Sequence, residues 1–448
     1  MYNEMKNTEF DVAVVGAGPA GLSAAIFSAR KGAKVLVLEQ NDKPLKKLYA
    51  TGNGRCNFTN LNMDGDVYRG SDISLIYNII ERFDRDRLLS FFEEIGMRYK
   101  DIGGYVYPYN EQARTVAQAL LLEARRLGIV IKCSEKVSDI LQLDHEIKNP
   151  EDRSADQVSG NLHNSELNTK HKYNSALNKK YRFKIITDSQ QYECKSLVIA
   201  VGGKASPAHG SDGNLNDIIK SFGHTVKKQK PALVPLLFRD KSISKLQGVR
   251  VKCAVSLTAD GERLTGEQGE IIFNKDNISG IPVMQMSRFA TCIDDKKKKI
   301  ELHIDLFPDE SEDELRERLD HIFSLEDRSA YEALSLYLNE KLTDICLCKA
   351  GILANKSSKE AGKDRLQKLS RILKDFTVEI TGNAGFERAQ VTAGGVPLSE
   401  LDENLESRYV QGLYIVGELC DADGTCGGYN LQWAFSSGAV AGSAASHT

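Results

Sequence analysis

Apolar and polar positions along this chain follow two periods, and the switches between them outline the elements. Asp11-Val12-Ala13-Val14-Val15 is a polar leader followed by a continuous apolar run, which predicts a short strand buried on both faces. A small-residue turn, Gly16 to Gly21, leads into helical spacing (Ala20, Ala24, Ala25, Phe27, Ser28) that ends at Lys31-Gly32. A second apolar run, Lys34 to Leu38, stops at Glu39. From 72 to 128 helical segments alternate with loops, and Ala113, Val116, Ala117, Leu120, Leu121 and Ala124 form one apolar face. Gly103 to Tyr109 breaks that region as an aromatic turn, read as a packed surface turn with three tyrosines lining a substrate cleft as the alternative, and Ile129–Lys132 reads as a strand. Residues 144–180 show neither period and predict a polar, mobile insertion within a hairpin. Strands resume at Tyr181–Thr187 and Gln191–Val201.

Beyond Pro231 the pattern changes to short alternating strands, Val249–Leu257, Gly269–Phe273 and Lys299–Asp305, with a turn at Ala259-Asp260-Gly261. That predicts a small barrel or sheet. Residues 312 to about 363 are charged with helical apolar spacing, Phe376–Thr381 returns as a strand, and Gly412–Val416 is the last. A small-residue helix is expected from Ala434 to Ala445. The resulting division places a discontinuous nucleotide domain at 1–228 and 386–448. An inserted β domain follows at 229–306 and 366–385, with a helical insertion at 307–365.

The chain has 448 residues, enough for two or three cores. Its net charge of −3 argues against work on a phosphate backbone, so no nucleic-acid partner is expected. The densest basic run, Lys296–Lys299, reads as a solvated strand end. No run of eighteen apolar residues occurs, so no membrane span is expected. Nine scattered cysteines form no framework, and Cys346-x-Cys348 and Cys420-x5-Cys426 lack a second pair at zinc spacing. Reduced thiols, no metal and a cytoplasmic location are the expectations.

The first turn carries chemistry. In Gly16-x-Gly18-x-x-Gly21 the first glycine permits the tight turn, the second lets backbone approach a pyrophosphate, and the third packs helix on strand. The helix N-terminus offers free N–H groups to phosphate. Glu39, eighteen residues past Gly21, is placed to accept hydrogen bonds from an adenosine ribose. Behind it, Lys46 to Asn60 contains Thr51-Gly52-Asn53-Gly54-Arg55-Cys56-Asn57, then Thr59 and Asn60. Two glycines allow close approach to something flat, and amides with a guanidinium fork supply donors and acceptors. That set suits the polar edge of a flavin ring; a Gly/Asn turn cluster with no ligand is the alternative reading. Cys56 is either a redox thiol or a small packed residue.

This loop behind a GxGxxG unit resembles the HI0933-like flavoprotein family, whose members are also described as BaiN-like or aminoacetone-oxidase-like FAD-dependent oxidoreductases. The tail agrees: Gly394-Gly395-Val396, Gly417-Glu418, and Asp423-Gly424 followed by Cys426-Gly427-Gly428-Tyr429-Asn430-Leu431-Gln432-Trp433. The resemblance implies an α/β fold, with a Rossmann-like FAD domain of the glutathione-reductase type interrupted by a β-barrel-like domain and a small helical domain. It implies FAD contacts from Gly16, Ala17, Gly18, Pro19, Ala20 and Gly21, from Glu39, Gln40 and Lys47, and from Thr51 through Asn57. Val137 matches a backbone contact to adenine, and Gly202-Gly203, Gly417-Glu418 and Gly428, Tyr429, Asn430 and Leu431 complete the set. Relatives tend to carry Arg where Tyr105 stands, and they carry other residues at Lys275 and Asn277 ahead of Ile278-Ser279-Gly280.

The expected activity is hydride transfer between flavin and a small organic substrate, with NAD(P)H or oxygen as the other reactant; a flavin-dependent RNA-modification or partner-binding factor is the alternative. Arg55, Asn57 and Cys56 are the catalytic candidates. No second strand–GxGxxG–helix unit follows the first. A nicotinamide cofactor would therefore share the exposed flavin face with the substrate.

Overall fold

The computed structural model describes residues 8–143, 181–293 and 298–447. Strand Glu9–Val15 sits inside a seven-stranded sheet, parallel to Val35–Leu38 on one side and Gln191–Ile199 on the other. Val35–Leu38 also pairs in parallel with Val130–Lys132. Gln191–Ile199 divides its outer edge, antiparallel to Phe183–Thr187 in its first half and parallel to Leu413–Ile415 in its second. Val12, Ala13 and Val14 are fully buried, as a strand covered on both faces requires. The parallel strands end together, so Gly16, Glu39, Gly202 and Gly417 emerge at one edge. Hydrogen bonds from Gly16 N–H to the Leu38 carbonyl (2.8 Å) and from Val416 N–H to the Ile199 carbonyl (3.1 Å) fix that edge. Val137–Gln142 pairs antiparallel with Phe183–Thr187. The two arms of the predicted hairpin therefore meet, while the 144–180 insertion lies outside the described residues.

Two helices hold the cradle from behind. The first, Pro19–Arg30, packs along the last, Tyr429–Ala445. Methyl groups on Gly438 or Gly442 would collide with the carbonyls of Ala20 and Ala24. Ser23 Oγ donates to the Phe435 carbonyl (2.8 Å), and Ser28 Oγ donates to that of Gly442 (2.7 Å). The last helix begins at Tyr429, not at Ala434 as the small-residue run suggests. Its first turn carries large side chains, and Trp433 is buried with its indole N–H on the Gly417 carbonyl at 2.9 Å.

A second core lies over an antiparallel sheet of seven strands. Phe376–Ile380 pairs with Ile300–Asp305 at one end of the strand order, and Gly382–Asn383 pairs with Leu236–Leu237 at the other. One continuous run of chain therefore lines both edges, which curls the sheet toward a barrel and leaves little open edge. Helix Ile281–Cys292 packs against it, an element the strand pattern concealed. Leu315, Leu319, Leu342, Cys346, Leu366 and Leu369 share the core with Phe273, Leu302 and Phe376. The helical segment thus has no core separate from the β region. Its last helix also runs Lys363–Lys374, past the expected end at 365, because Leu366, Leu369 and Leu373 keep helical spacing. The expected aromatic turn is a β-hairpin: Tyr99–Ile102 pairs with Tyr105–Pro108 through Gly103-Gly104, both at positive φ.

Candidate functional site

The three glycines of the first turn have three different reasons to be glycine. Gly16 has φ +101°, and a Cβ there would lie 2.5 Å from the Ala200 carbonyl oxygen. A Cβ on Gly21 would collide with the Gly16 carbonyl. A Cβ on Gly18 would meet nothing within 4 Å. That position faces open space at the head of the first helix, where unpaired N–H groups and the dipole favour an anion. Glu39 is almost fully buried, accepting from Ala17 N–H (2.9 Å), Asn41 N–H (2.8 Å) and Asn41 Nδ2 (2.7 Å). It therefore braces the turn as well as facing the cleft.

The second loop owes its shape to a cluster of left-handed residues. Gly52, Asn53, Gly54 and Cys56 all have φ between 54° and 84°. Glycine adopts this region freely and asparagine tolerates it. Arg55 stacks its guanidinium on Tyr107 (4.5 Å) and pairs with Glu111, leaving Nε buried without a partner. Asn57 Oδ1 is likewise buried and unpartnered. Cys56 is fully buried, and burial pushes its thiol up to about 12. It does not line the cleft, so the redox-thiol reading is corrected: a protonated sulfur inside the core cannot attack.

The two sequence-distant motifs meet. Thr59–Asn60 pairs with Tyr105–Val106, and Asn60 Nδ2 donates to the Gly427 carbonyl (2.9 Å). Thr59 Oγ1 donates to Gln432 Oε1 (2.5 Å). Asn430 folds back on the turn before it, accepting from Gly424 N–H (2.8 Å) and donating to the Gly424 carbonyl (2.8 Å). Across the cleft Lys47 Nζ lies 2.6 Å from Glu418, whose other oxygen accepts from Thr392 N–H (3.0 Å).

These elements enclose a cleft of about 570 Å³. One end holds Gly16, Gly18, Glu39, Gln40, Val137 and Gly202, and the loop Lys47 to Asn57 contributes Lys47, Thr51, Gly52, Asn53, Arg55 and Asn57. Pro19, Ala20, Gly417, Glu418, Gly428, Asn430 and Leu431 also line it. Six expected contacts are not at its surface: Ala17, Gly21, Gly54, Cys56, Gly203 and Tyr429. Gly21 and Gly203 are packing positions instead; a Cβ on Gly203 would run into Thr392 and lie 2.8 Å from Glu418 Oε1.

Several lining residues lie outside the expected set of cofactor contacts. Tyr105 and Tyr107 come from the hairpin, Leu233, Ile281 and Val391 from the β region, and Cys426 from the turn before the last helix. Tyr105 and Tyr107 alternate along one strand and both line the cleft, the alternative the sequence left open for this segment. Burial pushes the Cys426 thiol up to about 12 and raises the Tyr105 hydroxyl, with Cys426 and Tyr107 adding smaller contributions at Tyr105. Behind this end, Arg288 makes a bidentate pair with buried Asp423 (2.6 and 2.9 Å), tying helix Ile281–Cys292 to strand Ala422–Gly424. No group of three or more metal-ligating side chains is gathered among the described residues, and no described helix is long and apolar enough to cross a membrane.

The sequence matches the family model described as the HI0933-like protein Rossmann domain over residues 10–162 and 159–444. It is 34% identical over 438 residues to the 3-dehydro-bile acid delta(4,6)-reductase of Clostridium scindens, covering 97% of this chain and 98% of the relative. It is 28% identical to the ribosomal RNA dihydrouridine synthase of Haemophilus influenzae, covering 95% of each chain. The protein of that name from Escherichia coli is 26% identical, with 96% of each covered.

Proposed function

Because the chain belongs to the HI0933-like family, a Rossmann-fold flavin-dependent oxidoreductase family, we propose that it is an FAD-dependent reductase that adds hydrogen across an activated carbon–carbon double bond. The observation that carries this reading is the open space at Gly18, at the head of a helix, continuous with a cleft that holds unpartnered polar atoms from Arg55, Asn57 and His209. A long, flat dinucleotide with a phosphate centre fits that set of donors and acceptors.

In this reading Gly18, Pro19 and Ala20 hold the pyrophosphate against the helix N-terminus. Glu39, Gln40 and Val137 surround the adenosine. Arg55 and Asn57, with Gly428 and Leu431 opposite, hold the polar edge of the flavin. FAD bound there supplies two-electron hydride chemistry. The protein orients the substrate over the ring, excludes water with Leu233, Ile281 and Val391, and keeps a proton source at hand.

The relatives' names support the reaction type. A delta(4,6)-reductase and a dihydrouridine synthase both saturate a carbon–carbon double bond, and in both substrates that bond is conjugated with a carbonyl. We place this chain's substrate among small conjugated carbonyl compounds, with NAD(P)H as the electron donor. A nicotinamide donor would use the same flavin face, since the described residues hold one strand–GxGxxG–helix unit and the intervening chain is β-sheet and helix. The second reading, reduction of a uracil within RNA, rests on the two dihydrouridine synthases; the net charge of −3 weighs against it.

Anaerobic reduction of the purified protein by NADH or NADPH, followed by a conjugated enone, tests the proposal. Flavin reoxidation with appearance of the saturated ketone is expected. Reoxidation by oxygen alone, or by a uridine-containing rRNA fragment and no enone, would sink it.

A further inference from the structure

Saturating a conjugated double bond takes a hydride at the carbon β to the carbonyl and a proton at the carbon α to it. The proton source is the part this chain must provide. Most proton-bearing groups along the cleft are engaged elsewhere. Glu39 is held by Ala17 and Asn41, and Glu135 accepts from Thr187 (2.7 Å) and Ser189 (2.6 Å). Lys46 pairs with Asp42 (3.1 Å) and Lys47 with Glu418. His209 stands with Asn41 beside Glu39, at the far end of the cleft. Arg55 pairs with Glu111, and its guanidinium covers the ring of Tyr107.

Tyr105, Tyr107 and Cys426 are left, and the Tyr107 ring lies beneath the Arg55 guanidinium. Tyr105 is held between the two flavin-side motifs: its backbone pairs with Asn60, and its ring edge would be 3.2 Å from a methyl group on Gly427. Its hydroxyl makes no hydrogen bond among the described residues, and the ring lines the cleft with Leu233, Ile281 and Cys426.

We propose that Tyr105 is the catalytic acid of the reduction, delivering its phenolic proton to the α carbon of a conjugated carbonyl substrate seated on the flavin. The idea rests on the reductase reading above. The hydride arrives from reduced flavin with both electrons and forms the C–H bond at the β carbon, leaving the flavin oxidised. The electron pair of the double bond moves toward the α carbon, the Tyr105 O–H bond breaks, and the new C–H bond forms there. Water returns a proton to the phenolate. Burial, which raises the hydroxyl, keeps Tyr105 protonated until the substrate needs the proton.

The test compares wild type, Y105F and C426A, all loaded with FAD and reduced with dithionite under nitrogen. Stopped-flow absorbance follows flavin reoxidation by 2-cyclohexen-1-one. Y105F should react on the order of 100-fold slower, the span of a lost general acid. C426A should be slowed far less than Y105F. The dissociation constant of the probe for the oxidised enzyme, read from the flavin spectrum, should be unchanged in Y105F, because the proton moves only during reaction. Wild type in D2O should place one solvent deuterium at the α carbon. A wild-type rate in Y105F, or the loss appearing in C426A instead, overturns the proposal. A fully reduced wild type that the probe does not reoxidise overturns the reductase reading along with it.

Discussion

Gly428 and Thr59 are in direct backbone contact: a methyl group on Gly428 would lie 2.6 Å from the Thr59 carbonyl oxygen. Gly428 also has φ +94°, so a side chain there is both strained and obstructed. Gly428→Ala should separate the two loops around the flavin while leaving the sheet and its core folded. Loss of 450 nm absorbance per protein, with a far-UV circular dichroism spectrum like that of wild type, is the expected result; full FAD loading would contradict it.

Gly18 and Gly21 should fail in opposite ways. Gly18→Val has room in the unliganded fold, so the protein should be soluble and folded but colourless, since the branched side chain occupies the pyrophosphate position. Gly21→Val collides with backbone and should lower yield and thermal stability whether or not FAD is added. A yellow Gly18→Val protein would remove the basis of the cofactor assignment.

Removing Glu39 should weaken FAD binding by roughly 1–3 kcal/mol through lost charged hydrogen bonds to the ribose and a slackened turn. Because Glu39 also accepts from Ala17 and Asn41, Glu39→Ala should lower the melting temperature of the FAD-free protein as well. Calorimetry and fluorescence titration of apoprotein read the two effects separately.

Cys56→Ser should retain FAD and turnover. The thiol in the folded protein should also resist Ellman's reagent at pH 8, where a group pushed up to about 12 is essentially all protonated. Turnover lost with an intact flavin spectrum would restore the redox reading.

Glu123 links the first helix to helix Ala113–Arg126. A hydrogen bond from Arg126, opposed by burial and helped by Arg30, lowers its carboxyl to about 2 from the ordinary 4.5. The folded state binds the proton more weakly than the unfolded chain. The stabilisation is therefore complete above about 4.5 and is lost as pH falls through about 2. Glu123→Gln should cost about 1–2 kcal/mol at pH 7 in chemical unfolding. The gap to wild type should shrink steadily as the pH is lowered through that window.

What the sequence made legible was whatever local chemistry demands. Gly16, Gly18 and Gly21 stand out because backbone geometry needs glycine at fixed offsets, and Cys426 to Trp433 because its residue types are unusual together. The capping boxes at Ser311 and Ser329, each completed by a Glu three residues on, are local signals of the same kind. Contacts set by distant partners were not readable. Nothing around Arg288 announces Asp423, 135 positions away, and nothing in the Gly438 to Gly442 spacing names Ala20 and Ala24 as its neighbours. Helix Ile281–Cys292 was hidden because its apolar residues continue those of the preceding strand. The shared core of barrel and helices was hidden because two periodic segments carry no mark of which faces meet.

The packing of the last helix on the first also sets an order of events during synthesis. The glycine turn leaves the ribosome early, but Gly438 and Gly442, which back it, follow roughly 420 residues later, on the order of a minute at ordinary elongation rates. Until then the head of the first helix lacks the last helix at its back and the loop Thr51–Asn57 has no opposing wall. A nascent chain should therefore be unable to retain flavin until its final helix is out. Yellow colour in a preparation would thus report that synthesis had passed Gly442, and termination ahead of Gly438 should yield colourless protein.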